Sequence, residues 1–303
     1  MNVTYHTPVL LQACMDGLNI KPDGVYCDLT FGGGGHSKAI LEKLGPEGRL
    51  IVFDQDEDAW RNRIDDSRVT FVRHNFRFLY QFAKFLDATP LDGILADLGV
   101  SSHHFDSPER GFSFRFEGEL DMRMNRQSGK TAAAVLNTYS EEDLIRVFKL
   151  YGEISSARRL VFEIDRFRNA KPFETTSELK DVASKLAPRK DVARFLGQVF
   201  QALRIEVNGE MEVLREMLNH TIEVLKPGGR LVIMSYHSLE DRLVKNFFRT
   251  GNMDQSEVER DIYGHASVPF DLITRKVIVP SDEEIEQNPR ARSAKLRIAQ
   301  KIG

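Results

Sequence analysis

Short apolar runs and amphipathic stretches take turns along the first hundred residues. "GVYCDLT" (24–30) has the continuous apolar character of a buried strand. "HSKAILEKLG" (36–45) has helical spacing and stops at Gly45-Pro46. "GRLIVFDQD" (48–56) is a second strand ending in acids, "EDAWRNRI" (57–64) a short helix and "RVTFVRHN" (68–75) a third strand. "FRFLYQFAKFL" (76–86) follows as a helix and "LDGILADLG" (91–99) as a fourth strand. This alternation predicts a mostly parallel α/β sheet with helices on both faces.

From about Phe105 to Ile205 the chain shows no strand pattern, only helical stripes. Ser140 is placed to cap a helix that aligns Leu144, Val147, Phe148 and Tyr151. Ala157, Leu160, Val161 and Ile164 form a second stripe. Thr175 with Glu178 is a capping box before Leu179, Val182 and Leu186. Beyond Pro188 a longer helix runs through Phe195, Val199 and Leu203. The α/β pattern then resumes with a stripe from Leu214 to Leu225, a Pro227-Gly228-Gly229 turn, a fifth strand "RLVIMSY" (230–236) and a cap at Ser238. "LITRKVIV" (272–279) and "AKLRIAQKI" (294–302) are two more strand candidates. The second alternates in polarity, as suits a terminal antiparallel strand with one wet face. The predicted organisation is a Rossmann-like sheet in two parts, 1–104 and 206–303, interrupted by an all-helical insert, 105–205, that serves substrate recognition.

Composition narrows this picture without changing it. A chain of 303 residues with a formal net charge of −3 is no general polyanion binder. Two cysteines, Cys14 and Cys27, make neither a disulfide framework nor a metal-spaced cluster. No signal-like start or membrane-length apolar run is evident, so a cytoplasmic location, no membrane partner and no obligatory protein partner are expected. The tail "RARSAKLRIAQK" (290–301) is basic and free of acids, either a solvated strand edge or a phosphate-contacting rim.

Four consecutive glycines, Gly32 to Gly35, follow the first strand, and they have more than one reading. A dinucleotide loop would place glycine where Ser37 stands, and a Walker A loop would place lysine where His36 stands. A tight turn alone is the bland alternative. The remaining reading is S-adenosylmethionine: bare backbone for the methionyl part, with Asp28 closing the first strand and Asp54 the second, the latter able to accept from ribose hydroxyls. Asp97, closing the fourth strand, falls where open α/β sheets bind ligands. A carboxylate there could accept from an exocyclic amine and expose its lone pair to a sulfonium methyl. Carbon methylation through a covalent cysteine is disfavoured, because neither Cys14 nor Cys27 lies near Asp97 in the sequence. A dinucleotide dehydrogenase and a non-catalytic ribosome-assembly module remain as alternatives of other classes.

"HTPVLL", "DLTFGGGGHS", "DLGVSS", "ERGFSFR", "LDMRM", "YGE", "EVNGE", "LKPGGRL", "SYHSLEDR" and "NPRARSAKLR" occur in this order over nearly the whole chain. They resemble the bacterial 16S rRNA cytosine-N4-methyltransferase family. The resemblance implies methyl transfer from S-adenosylmethionine to the exocyclic N4 of a cytidine in the ribosomal decoding region, with 16S rRNA or the small subunit as partner. It implies cofactor contacts at Gly34, Gly35, His36, Asp54, Phe76, Asp97 and His104. Where the family commonly carries Pro-Gln, this chain carries His103-His104. Those histidines with Asp106 do not make a metal site, since adjacent side chains rarely aim at one ion, and no metal is expected.

Asp97 is the expected catalytic residue, with Tyr236 and His237 bordering the base and one of them stacking on it. Arg110, Arg115, Arg123 and Arg126, interleaved with Phe112 and Phe114, are the expected RNA contacts at the start of the insert. Arg290, Arg292, Lys295 and Arg297 are the expected contacts in the tail. The target is expected in the cleft between the two domains.

Overall fold

The computed structural model describes residues 8–99, 105, 107–258 and 268–303. Seven strands make one sheet: β1 Val25–Asp28, β2 Arg49–Phe53, β3 Val69–Val72, β4 Leu91–Asp97, β5 Leu225–Ser235, β6 Phe270–Leu272 and β7 Lys295–Lys301. Their spatial order is β3-β2-β1-β4-β5-β7-β6. The first five run parallel; β7 pairs antiparallel with both β5 and β6. The order reverses between β1 and β4, so the carboxyl ends of these two strands flank the switch point where such sheets receive ligands.

The chain divides into two compact units, Met1–Gly99 with Met211–Gly303, and Val100–Glu210. In the sheet unit the apolar strand residues are buried on both faces. α1 (Leu11–Leu18) and α2 (Gly35–Lys43) contribute Cys14, Met15, Leu18, Ile40 and Leu41 to a core with Leu50, Val52, Leu95, Val232, Leu296 and Ile298. Near the far edge, Phe247 and Phe248 of the helix Ser238–Thr250 pack their rings on Phe270 of β6.

The second unit is built from the helices Ala132–Thr138, Glu141–Leu150, Ala157–Arg168, Thr176–Ser184 and Val192–Asn208. The stripes read from the sequence are its core: Leu144, Val147, Phe148, Leu160, Val161, Ile164, Leu179 and Val199 are fully buried. Ser140 accepts from the Asp143 N–H (3.1 Å), and Thr175 forms its capping box with Glu178. The last helix runs past Ile205 to Asn208 and ends on Gly209 in the left-handed conformation (φ 58°), so the unit closes at a helix cap rather than inside the helix.

Four local expectations change. "EDAWRNRI" is only a 3-10 turn, Ala59–Asn62. "LITRKVIV" is not a strand: β6 stops at Leu272, and Ile278 makes a single bridge to Leu296, because the chain bends at Arg275 and Lys276. Leu225 opens β5 rather than closing a helix, and Pro227–Gly229 form a bulge within that strand where its register with β4 shifts. His237, not Ser238, caps the helix Ser238–Thr250, since its ring accepts from the Glu240 N–H while the Glu240 carboxylate accepts from the His237 N–H.

Candidate active site

The glycine turn is held from both sides. Asp28, closing β1, accepts from the Ser37 hydroxyl at 2.6 Å and the Thr30 N–H at 3.1 Å, and is 1% exposed. It ties the strand to the first helical turn and offers little to a ligand. Asp54, just beyond β2, accepts from the Gly32 N–H and the Asp56 N–H, both at 2.8 Å. Burial pushes its carboxyl up to about 7, against the pull of those two N–H groups. Asn62 donates to the Gly32 carbonyl at 3.1 Å.

The glycines serve different ends. Gly32 (φ 52°) has open space where a side chain would stand, the bare backbone a ligand can approach. Gly34 (φ 75°) backs onto Phe31, whose ring would lie 2.8 Å from an added Cβ, and Gly35 backs onto Pro8 at 2.2 Å. For these two, the absent side chain makes room for the protein itself. Phe76 opens a 3-10 turn capped by Asn75 and is half-buried, a position open to an apolar wall.

Asp97 ends β4 with its backbone N–H donating to Thr30 Oγ1 at 2.7 Å, so the glycine turn and β4 are fastened together. Its carboxylate accepts from the Gly99 N–H (3.3 Å) and the Tyr236 hydroxyl, and lies 4.0 Å from His36 Nδ1. Burial pushes the Asp97 carboxyl up, opposed by the His36 charge and the Tyr236 hydrogen bond. The side chain keeps 22% exposure, enough for a substrate atom to reach it. His36 is buried, with Nε2 facing the Val9 carbonyl at 3.1 Å. That carbonyl can only accept, so Nε2 carries a proton, and Nδ1 is the nitrogen turned toward Asp97.

Tyr236 and His237 depart from a stacking role. The Tyr236 phenol is tied to Asp97 and its ring covers Gly99, where an added Cβ would meet it at 2.7 Å. Burial, followed by the Asp97 charge, pushes the phenol up, so the hydroxyl stays a donor. The His237 side chain is 7% exposed and 3.1 Å from Glu240, engaged in capping rather than free to stack. Glu240 accepts from the Tyr236 N–H at 2.9 Å, so the cap also fixes the turn that presents Tyr236. Cys14 is remote from Asp97 along the chain, yet the Asp97 charge acts on it. Burial first, then that charge, push its thiol up and keep it protonated and inert.

The expected RNA contacts separate into two kinds. Arg110 is 2% exposed and donates to the carbonyls of Arg123 and Met124, which makes it an internal brace. Arg123 is bidentate to Asp121 (2.7 and 2.9 Å). Phe112 is buried and Phe114 packs edge-on against Phe200, so neither is presented for stacking; Phe116, 45% exposed, is the outward aromatic. Lys295 and Arg297 both pair with Asp241, at 3.3 and 2.8 Å. Arg115, Arg126, Arg290 and Arg292 are exposed. His104, with His103 and Asp106, lies outside the described residues. Among the described residues no helix is long and apolar enough to cross a membrane.

Thr30, Asn62 and Glu240 were missed by sequence reasoning. Thr30 and Glu240 sit inside quoted motifs, and Glu240 binds N–H groups three and four residues earlier, so both could have been noticed; the partner of Asn62, thirty residues away, is invisible without the fold.

The strand order, the turn with bare Gly32 after β1, and acids at the ends of β2 and β4 with no lysine or arginine partner among the described residues define a class: Rossmann-like, S-adenosylmethionine-dependent methyltransferases. Comparison with known proteins narrows it. The model of the MraW methylase family matches residues 3–302. Ribosomal RNA small subunit methyltransferase H of Bacteroides thetaiotaomicron is 56% identical over 299 residues, 99% of this chain and 98% of that protein. The protein of the same name from Flavobacterium johnsoniae is 57% identical over 298 residues, 98% of each. Among solved structures, an rRNA methylase from Streptococcus thermophilus covers 96% of this chain and 95% of its own at 12% identity, with a TM-score of 0.42. The chain belongs to the MraW methylase family.

Proposed function

We propose that this protein methylates the exocyclic N4 amine of a cytidine in the decoding region of 16S rRNA. Family membership and the relatives' name support a small-subunit rRNA substrate. The observation that carries the chemistry is the Asp97 carboxylate, oriented by the Tyr236 hydroxyl and the Gly99 N–H beside the glycine turn.

The residues present fit the cofactor. Gly32 leaves backbone uncovered, Gly34, Gly35 and His36 begin the adjoining helix, and Asp54 carries acceptor oxygens for ribose hydroxyls, with Phe76 as an apolar wall. S-adenosylmethionine supplies an electrophilic methyl on a sulfonium. Asp97 accepts an N–H of the target amine, whose lone pair is otherwise delocalised into the ring, and so turns that lone pair toward the methyl. The Tyr236 hydroxyl, and the His36 ring when protonated, favour the ionised carboxylate against its burial. Buried, protonated Cys14 and Cys27 give no support to a covalent route through a thiolate. The base must leave its stack to reach Asp97, and exposed Arg115, Arg126, Arg290 and Arg292 are the candidate phosphate contacts.

The test offers labelled S-adenosylmethionine to purified small subunits and to free 16S rRNA, then identifies the labelled nucleoside by mass spectrometry. N4-methylated cytidine is expected; label on carbon 5, or on another nucleoside, overturns the reading.

A further inference from the structure

At the β6–β7 edge of the sheet unit lies a groove of about 210 Å³ whose lining includes Lys245, Arg249, Arg275 and Arg297. Lys245 and Arg249 stand one turn apart on the helix Ser238–Thr250 and so share a face. Arg275 follows a segment fastened to β7, where the Ile273 N–H donates to the Ile298 carbonyl at 3.1 Å and the Ile298 N–H donates to Thr274 Oγ1 at 3.3 Å. Arg297 is anchored by Asp241. Lys245 is half-buried and Arg249 and Arg275 are exposed, and among the described residues no carboxylate pairs with any of the three. Three cations gathered without counter-charge repel one another, an arrangement that an anionic partner relieves. The groove also has an apolar wall, Leu272 at 38% exposed above buried Phe248.

Strand register relates this groove to the candidate site. Asp97 of β4 is paired with Met234 of β5, which is paired with Leu296 of β7, and Arg297 is the next residue. Two strand spacings amount to about 10 Å. Arg297 faces the opposite side of the sheet from that paired row, toward Asp241 of the helix Ser238–Thr250. A polymer engaged at Asp97 would therefore reach the groove by passing around the carboxyl end of β5, where β7 begins, a path a lone small anion could not span.

We infer that this groove binds the phosphodiester backbone of the RNA strand flanking the target nucleotide, with Lys245, Arg249 and Arg275 on phosphates and Leu272 against a sugar or base. The inference rests on the rRNA reading above but concerns residues outside the reacting centre. Its test is charge reversal, Lys245→Glu with Arg249→Glu and Arg275→Glu, against a control reversal of Lys21 and Lys43, exposed beside the opposite half of the sheet.

The groove variant is expected to raise KM for small subunits at least about tenfold at moderate salt. The slope of log affinity on log salt should flatten by about 2, roughly 0.7 for each phosphate no longer neutralised on a single strand. S-adenosylmethionine binding by calorimetry and kcat at saturating subunit should stay near wild type, as should the control. Unchanged KM and salt slope overturn the inference. So does a variant that binds free RNA normally but loses the assembled subunit, which would mark the groove as a protein-docking surface. Single Lys245→Gln, Arg249→Gln and Arg275→Gln variants, each expected to raise KM about two- to fivefold, decide the matter if the triple variant folds poorly. Anisotropy with a labelled RNA oligonucleotide tests the groove by itself. Groove-dependent binding without any methyl transfer by the wild type would instead condemn the parent reading.

Discussion

The strand-end acids of the sheet unit and the ion-paired acids of the helical unit live under opposite conditions. In the helical unit, Asp121 meets Arg123 bidentately and Glu178 meets Lys171; burial alone would raise these carboxyls, but the hydrogen bonds of the paired cations hold them below the usual range. At the strand ends of the sheet unit, Asp28 is buried and Asp54 and Asp97 half-buried, with no lysine or arginine beside them among the described residues, and all three are pushed up. An acid held by a cation works for the fold. One that is desolvated yet left with spare oxygens costs stability and is kept where chemistry needs it. Asp28 shows that desolvation alone does not make a functional group: its oxygens are already taken by Ser37 and Thr30.

The largest test of this contrast is Asp97→Ala. Turnover should fall about 10²–10³-fold, with the thermal midpoint little changed, because relief of a desolvated acid is offset by loss of its hydrogen bond from Tyr236. Near-normal turnover in a single-turnover assay would discard its role. Asp121→Ala should do the reverse. It strands the Arg123 guanidinium and costs about 2–3 kcal/mol in denaturant unfolding, with the folded fraction keeping its kcat.

Asp54 sharpens the contrast through pH. Its folded value, about 7, stands above the ordinary 3.8, so the fold favours the protonated form. That contribution to stability is full below about pH 4 and is lost as pH rises through 7. Ribose binding, which uses the ionised carboxylate, runs the other way. Calorimetry should show S-adenosylmethionine affinity at its plateau above about pH 7.5 and falling at most tenfold per unit below 7. Asp54→Asn should flatten that profile, and a slope surviving in the variant would remove Asp54 from the cofactor site.

The glycine turn offers a smaller separation of the same kind. Gly34→Ala must enter a left-handed conformation and press on Phe31, costing about 1–2 kcal/mol of stability. Gly32→Ala has free space, so beyond its own backbone strain it should show its main loss in cofactor affinity. Smallest of all, Thr175→Ala breaks the capping box and should lower stability by about 1 kcal/mol, with no effect on transfer rate at permissive temperature.

Much of this molecule was legible in order along the chain. Helical stripes, the Ser140 and Thr175 caps, the first four strands and the terminal strand are local, since side-chain period and capping chemistry act within a few residues. Asp54 and Asp97 were legible because acids closing strands face the ligand end of a parallel sheet. The arginines misled. Nothing near Arg110 says that its guanidinium turns inward to the carbonyls of Arg123 and Met124, or that Lys295 and Arg297 are held by Asp241, more than 50 residues earlier in the chain.

Pattern and motif alone therefore determined the class of fold, the helical insert, the glycine turn and the acids at the strand ends. Tertiary structure decided that Arg110 turns inward, that the Tyr236 hydroxyl donates to Asp97, that the Asp97 charge acts on buried Cys14, and that Lys245, Arg249 and Arg275 line one groove. The reason is physical. Periodicity and capping are settled by covalent neighbours, whereas the partner of a charge is chosen by strand order and helix packing across scores of residues.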